Sequence, residues 1–546
     1  MLTKFSRESG FTTLIFLSLL LMLSLLGINA IMTSTNEVDI AGYEMNSQGA
    51  LYAAEAGLEK GAAFVRNYYN KFGKPPTSLP DDSIQIGKFA VTYEVVKPGV
   101  TVSKIMTQGA YRGLYALSDE YVISATATAP GVAASKSLQM TVDASVVPIY
   151  QFAVFYENEL EIAPGPAMTL GGRVHSNGDM YLQSENSLKI DSYTTAAGEI
   201  FHGRHPNSGM STSSGSVEIK DASGVYRSMK SPDNTWLDST DPDWVNNSIS
   251  RWGGKVEDKN HGMTELKLPV VASNDPMDMI TRAGADNVDS YEKKAGLKVI
   301  DGQVLWRKPD STWQNVTTDF TNTGILTQST FRDGRENKDV VSYDIDIAKL
   351  NTSAYWPDGG IVYTANEVSG SLTATKLKNG STLKEGLTVA SENPVYTQGD
   401  YNSVNKKPAS IMADALTILS NNWTDANSWN STRTASDTKV NAAYMCGNKA
   451  SGTGGDTYSG GFENLPRFLE NWSGKKFTWK GSAVDLWRSE KATGTWGGSY
   501  YSPPNRDWTF DTDFLDPSKL PPGTPLIAIV MKTSWREITA PSYVAE

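Results

Sequence analysis

FTTLIFLSLLLMLSLLGINAI, at residues 11–31, runs for twenty-one positions without a charged side chain. As a helix rising about 1.5 Å per residue it is about 32 Å long, which matches the roughly 30 Å hydrocarbon core of a bilayer. The ten residues before it, MLTKFSRESG, carry Lys4 and Arg7 against Glu8, so the positive-inside rule keeps that end cytoplasmic and sends the rest of the chain outward. The apolar run does not end the helix. Beyond it Leu51, Ala54, Leu58, Ala62, Val65 and Tyr69 recur every three or four positions, while Glu55, Glu59 and Arg66 lie off that stripe. The predicted element is one helix over 11–72, apolar in its first half and amphipathic in its second, stopped by Gly73 and Pro75-Pro76. Three readings compete for it: a secretory signal peptide, a plain single-pass anchor, and a processed leader followed by a permanent helix. Ile28-Asn29-Ala30 is a poor signal-peptidase site, and the amphipathic continuation disfavours the first reading.

Around this helix the composition is that of a soluble, folded protein. The 546 residues give a soft prior of three or four domains, and 39% hydrophobic with 20% charged residues excludes a wholly disordered chain or a multi-span membrane protein. A net charge of -11, from 49 Lys plus Arg against 60 Asp plus Glu, disfavours bulk attraction to nucleic acid. The single cysteine, Cys446, allows no intramolecular disulfide and reads as a buried apolar thiol. With only four histidines the common Cys/His zinc modules are excluded.

Ser9-Gly10-Phe11, followed by the apolar helix, resembles the prepilin peptidase site of type IV pilins and pseudopilins. Ala53-Ala54-Glu55-Ala56-Gly57-Leu58-Glu59 resembles the AAEA helix segment of minor pilins with a PilX-type N-terminus. The resemblance implies a leader over 1–10, cleavage after Gly10 by prepilin peptidase, methylation of Phe11, and packing of the helix among major and other minor pilins. It also implies a single-pass inner-membrane protein before assembly and a place on an extracellular pilus or the cell surface afterwards. One position departs from the pattern: the glutamate that major pilins carry at the fifth mature position is here Ile15, so the likeness is to minor subunits. Glycines at 27, 42, 49, 57 and 61 each cost about 1 kcal/mol relative to alanine in a helix interior, a cost that close approach between helices would offset.

Past the helix, Phe89, Val91, Tyr93 and Val95 alternate with less apolar residues, and the stretches 121–128 and 138–146 behave similarly. These predict a small antiparallel sheet over 73–150 packed on the amphipathic face of the helix. The apolar run at 526–531 is expected to return and complete that sheet, within 524–540, which makes 151–523 an insertion. Inside it, apolar pairs at Leu160/Ile162, Met168/Leu170, Met180/Leu182 and Leu188/Ile190 are separated by turn residues, and the rhythm resumes at Ile361/Tyr363, Leu387/Val389, Val395-Tyr396 and Leu416/Ile418. Short strands at that spacing suit the rungs of a β-solenoid. The stretch 203–350 is polar and reads as irregular excursions with a small helix near 276–283. GRVHSNGDMYL, NPVYTQGDYN, ALTILSNNW and ENLPRFLENWSG also resemble stretches of large minor pilins with a β-solenoid head, some of which serve natural competence. The expected fold class is therefore α+β with all-β: a long N-terminal helix packed on a small antiparallel sheet, with a large β-solenoid-like insertion.

Residues that carry chemistry are sparse. No GxxxxGK[ST], GxSxG or HExxH is present. His202 and His205, with His175 and Asp179, could approach a metal if rungs stack suitably, but turn and surface positions account for them better. Asp241/Asp243 and Asp511/Asp513 suit solvated turns better than a calcium or hydrolase site. No catalytic residue, metal or cofactor is expected. The strongest binding candidate is the C-terminal part of the head, where Trp472, Trp479, Trp487, Trp496 and Trp508 are interleaved with Lys475, Lys476, Lys480, Arg488 and Arg506, and residues 464–510 carry a local charge of +3. Such a mixture either stacks unpaired DNA bases or glycan rings, or caps the open end of a solenoid with large buried aromatics. The expected function is that of a non-enzymatic minor pilin whose head mediates surface contact, adhesion or DNA capture. A pseudopilin of a type II secretion system and a membrane-anchored solenoid carbohydrate-active protein are the alternatives.

Overall fold

The structure, a computed structural model, describes residues 9–539 apart from 108, 110, 133, 268–274, 285–286, 288, 450–457 and 498–499. The leader expected over 1–10 lies mostly outside the described residues. Helix α1 (Ser9–Phe72) is continuous over 64 residues, about 96 Å at 1.5 Å per residue. Every residue from 11 to 41 is exposed, and this half carries an apolar stretch long enough to cross a membrane. From Ala50 onward one face is buried: Ala50, Ala53, Ala54, Leu58, Ala62, Val65 and Tyr69 lie in the core, and Leu51 is half-buried beside them.

That face packs on an antiparallel sheet of β1 (Asp81–Ile86), β2 (Phe89–Val96), β3 (Val102–Ile105), β4 (Tyr115–Thr128) and β5 (Lys136–Pro148). In β2 the residues Phe89, Val91, Tyr93 and Val95 point inward and their neighbours outward, the alternation a half-buried strand requires. The C-terminal strand Leu526–Ile538 pairs antiparallel with β5 and forms the edge. The end of the helix is pinned by a polar knot, in which Tyr69 Oη donates to Asp119 at 2.5 Å while Lys97 and Thr101 reach the same carboxylate at 2.7 Å. Burial alone would raise the Asp119 carboxyl, but the hydrogen bonds from Lys97, Tyr69 and Thr101 outweigh it and hold it below its ordinary value.

Three of the helix glycines are explained by this sheet. A Cβ on Gly57 would lie 2.7 Å from Val91 Cγ1 and 2.9 Å from Ala125 Cβ, and one on Gly61 would lie 2.7 Å from Ile123 Cγ2. A Cβ on Gly49 would meet the Phe89 ring, whereas Gly27 and Gly42 have nothing within 4 Å. The helix-to-helix approach expected for all five is therefore replaced at 49, 57 and 61 by approach of helix to strand. Alanine gains about 1 kcal/mol of helix propensity, but overpacking a close contact costs about 1–3 kcal/mol. Gly57→Ala should consequently lower the thermal midpoint while Gly42→Ala leaves it unchanged or raises it. A higher midpoint for Gly57→Ala would mean the helix does not sit this close to the sheet.

The insertion begins and ends at one point, since Pro148 and Leu526 are opposite each other and Ile149 N–H donates to Pro525 O at 3.1 Å. Between them the chain forms a parallel β coil. Its main sheet runs, strand beside parallel strand, Val256–Glu257, Thr194–Ala196, Arg173–Ser176, Phe152–Tyr156, Ala483–Asp485, Ala443–Cys446, Ala409–Ala413, Leu387–Ser391, Ile361–Ala365 and Leu297–Ile300. Chain order and stacking order differ. The coil starts in the middle, at Phe152–Tyr156, and winds to one end. The chain then passes outside to the far end and winds back until Ala483–Asp485 docks against the starting strand. The outside passage is fastened at both ends of its course: Asn177 exchanges hydrogen bonds with Leu266, and Tyr363 Oη donates to Ile280 O at 3.0 Å. The short helical turn expected near 276–283 is a 3-10 turn at Pro276–Met279.

The stretch 203–350, expected to be irregular, also joins the stack. Ser216–Lys220 pairs parallel with Ser187–Ile190, and Leu297–Ile300 is the last parallel strand of the main sheet before the antiparallel strands Gln303–Arg307 and Trp313–Asn315. The antiparallel pair of Leu326–Asp333 with Lys338–Asp346 begins a second sheet that is parallel beyond it. Polar outward-facing positions and long turns hide these strands from an apolar-pair pattern: in Leu326–Asp333 only Leu326, Phe331 and Asp333 are buried.

Candidate functional site

The interleaved tryptophans and cations are where sequence and structure diverge most. Trp472, Trp479, Trp487 and Trp508 are buried, so they present no face to a base or a sugar ring. Trp479 Nε1 donates to Ala442 O at 2.9 Å and Trp487 Nε1 to Ala413 O at 3.2 Å, which makes both rings pins of the coil backbone. Phe477, Trp479 and Trp508 meet edge to face with Phe462 and Phe468 around them, closing the coil interior. Lys475 is half-buried, while Lys476, Lys480 and Arg488 lie 3.9, 3.5 and 3.5 Å from Asp507, Asp511 and Glu159. Asp511 and Glu159, which lie outside residues 464–510, thus offset part of the local positive charge.

Two of the predicted residues do meet in a cleft. Trp496, half-buried, and Arg506 line an opening of about 560 Å³ together with Arg204, Glu185, Tyr458, Glu463, Asn464 and Tyr501. Arg488 faces a neighbouring depression of about 210 Å³ that shares Tyr458 and Gly461 with the first. Only the stacking of coils brings residues 161–210 beside 458–506.

The walls are held from behind. Trp496 Nε1 donates to Tyr501 Oη at 2.8 Å, and Tyr501 Oη donates to Asn464 Oδ1 at 2.8 Å. Trp496 N–H donates to Tyr458 O at 3.0 Å, and the two rings meet edge to face at 5.6 Å. The segment leading into Trp496 is clamped by two buried carboxylates. Asp414 accepts from the N–H groups of Glu490, Lys491 and Ala492 at 2.6, 3.1 and 2.8 Å, and Glu336 accepts from Gly494 N–H at 2.8 and 3.0 Å. Glu336 in turn pairs with Arg467 at 2.7 Å, both side chains being buried.

The floor combines donors and acceptors. Arg204 Nη1 lies 3.3 Å from Glu161, which also accepts from His205 N–H at 2.6 Å and from Tyr458 Oη. Arg506 Nη2 donates to Glu463 O at 3.1 Å. The buried Nε groups of Arg204 and Arg506 have no hydrogen-bond partner among the described residues. Glu463 Oε1 accepts from Ala163 N–H at 2.5 Å. Burial pushes the Glu463 carboxyl up to about 7, with Glu161 adding to the rise and Arg506 opposing it, and burial lowers the Arg506 guanidinium.

The metal reading of the histidines finds no geometry. His175 is buried between Thr195 Oγ1 at 2.8 Å and Asn177 Oδ1 at 2.9 Å, and His202 stacks on Trp236 at 3.3 Å. Among the described residues no group of three His, Cys, Asp or Glu side chains could hold an ion. Asp511 and Asp513 share Lys406, and Asp241 accepts from Asp243 N–H at 2.7 Å in a turn. Cys446 is buried, and burial pushes its thiol well up.

No protein-family model and no curated protein matches this chain. Among solved structures, the competence-associated pilin ComZ from Thermus thermophilus is similar at a TM-score of 0.29 and 10% sequence identity, over 90% of this chain and 97% of that chain. A likeness at that TM-score carries no argument.

Proposed function

We propose that this chain is a minor pilin of a type IV pilus or related filament, inserted in the inner membrane and cut after Gly10 before assembly. The observation that carries the reading is the division of one continuous helix. Residues 11–41 are exposed and dominated by an apolar stretch, whereas Ala50 to Tyr69 are locked onto the sheet. An apolar helix left standing free of its own domain needs either lipid or other apolar helices around it, and filament assembly moves it from one to the other. Gly27 and Gly42, with open space above them, leave room for a neighbouring helix on that half. The strand pairing of Leu526–Ile538 with β5 joins the large head to this module, Arg112 braces it through Gly254 O at 3.0 Å and Glu257 at 3.1 Å, and the helix runs on uninterrupted. Function by this reading is packing and display, with no turnover. Gold-labelled antibody against the head should decorate filaments sheared from native cells. Head signal confined to the membrane fraction in cells that bear filaments would contradict it.

A further inference from the structure

We propose that the cleft between Trp496 and Arg204 binds a neutral oligosaccharide. The proposal deepens the display reading by naming what the displayed head holds, and rests on that reading only for where the two meet. Four observations support it. Its volume of about 560 Å³ is that of a small-ligand site. Trp496 and Tyr501 form an aromatic corner whose polar atoms are already used on each other and on Asn464, so the rings are fixed in place before any ligand arrives. Aromatic rings of this kind offer an apolar face to the C–H side of a pyranose.

The polar groups complete the match. Sugar hydroxyls donate and accept at once, and the cleft offers both kinds of partner: the guanidinium groups of Arg204 and Arg506, which line it, and the carboxylate of Glu185, which is 61% exposed and only 3.9 Å from Arg204. Charge separates a neutral sugar from a polyanion. Glu161 and Glu185 lie beside Arg204 and Glu463 acts on Arg506, so the site lacks the net positive field that phosphate binding needs. The tryptophans that would have formed a longer stacking track for DNA are inside the coil.

The test uses the full chain in detergent micelles on an array of neutral hexopyranose oligosaccharides, followed by calorimetry on the bound ones, with a twenty-nucleotide oligothymidylate as competitor. At least one neutral oligosaccharide should bind, Trp496→Ala should weaken it by about tenfold or more while the variant stays folded, and the oligothymidylate should not displace it. Glu185→Gln, a change to an exposed side chain, should weaken binding as well and carries the test if Trp496→Ala fails to fold. Absence of binding across the array, equal binding by both folded variants, or displacement by the oligothymidylate overturns the proposal. A chain that binds sugar but is missing from filaments would overturn the display reading and leave this one standing.

Discussion

Arg467→Ala should lower the stability of the head by about 3–5 kcal/mol, read as a fall in the guanidinium chloride midpoint of the tryptophan-fluorescence transition. Arg467 and Glu336 are an ion pair with side chains only 3% and 2% exposed, and removing Arg467 leaves a buried carboxylate without its direct ion-pair partner and with only the weaker pull of Arg335. Burial already holds the Glu336 carboxyl above its ordinary value, with Arg467 opposing, so losing Arg467 drives it further up. Arg467 Nη2 also donates to Ala492 O at 2.8 Å, and Glu336 accepts from Gly494 N–H, so the segment that delivers Trp496 to the cleft loosens at the same time. A loss under 1 kcal/mol would show that water reaches this pair.

Asp485→Asn should do the opposite, by an amount that grows as pH rises from about 4 to about 7. Asp485 sits on the strand that docks the last coil against the first, and neither carboxylate oxygen has a hydrogen-bond partner among the described residues. Burial pushes the carboxyl up to about 7, with Glu157 adding to the rise and Arg488 opposing it. An acid that binds its proton more tightly when folded destabilises the native state as pH rises from its unfolded value near 4 to about 7, and the full penalty stands above that. Three pH units correspond to about 4 kcal/mol. The asparagine variant should therefore match the parent near pH 4 and exceed it by up to about 4 kcal/mol at pH 8. Glu463, raised to about the same value, keeps its share of the pH dependence in the variant. Equal stability of parent and variant at pH 8 would mean that Asp485 is hydrated or paired in solution.

How much of this was legible in the sequence depends on the range of the interaction. The apolar run, the stripe from Ala54 to Tyr69 and the alternation of β2 are local periodicities, and each appears where the period places it. The tryptophans left two readings open because aromatic residues interleaved with cations describe a stacking surface and a buried cap equally well, and their burial favours the cap. The discriminating signal was nonetheless present: in Lys476–Gly481 the aromatics Phe477 and Trp479 fall on one parity and Lys476, Thr478 and Lys480 on the other, and the buried and less buried positions follow that parity. The cleft had no such signal. Glu161, Glu185, Arg204, Tyr458, Glu463, Asn464 and Tyr501 share no spacing, and they meet because the coil starts in its own middle and returns there 300 residues later. A register of stacked parallel strands is a long-range property that short apolar pairs do not specify.

The central claim, that a peptidase-processed helix carries this head into a filament, is tested most directly by intact-mass and N-terminal mass spectrometry of the protein isolated from native cells. The account predicts a mature chain that begins at Phe11 with a methylated amino group. A chain that keeps Met1, or one cut after Ala30 so that the apolar half of α1 is lost, would contradict it.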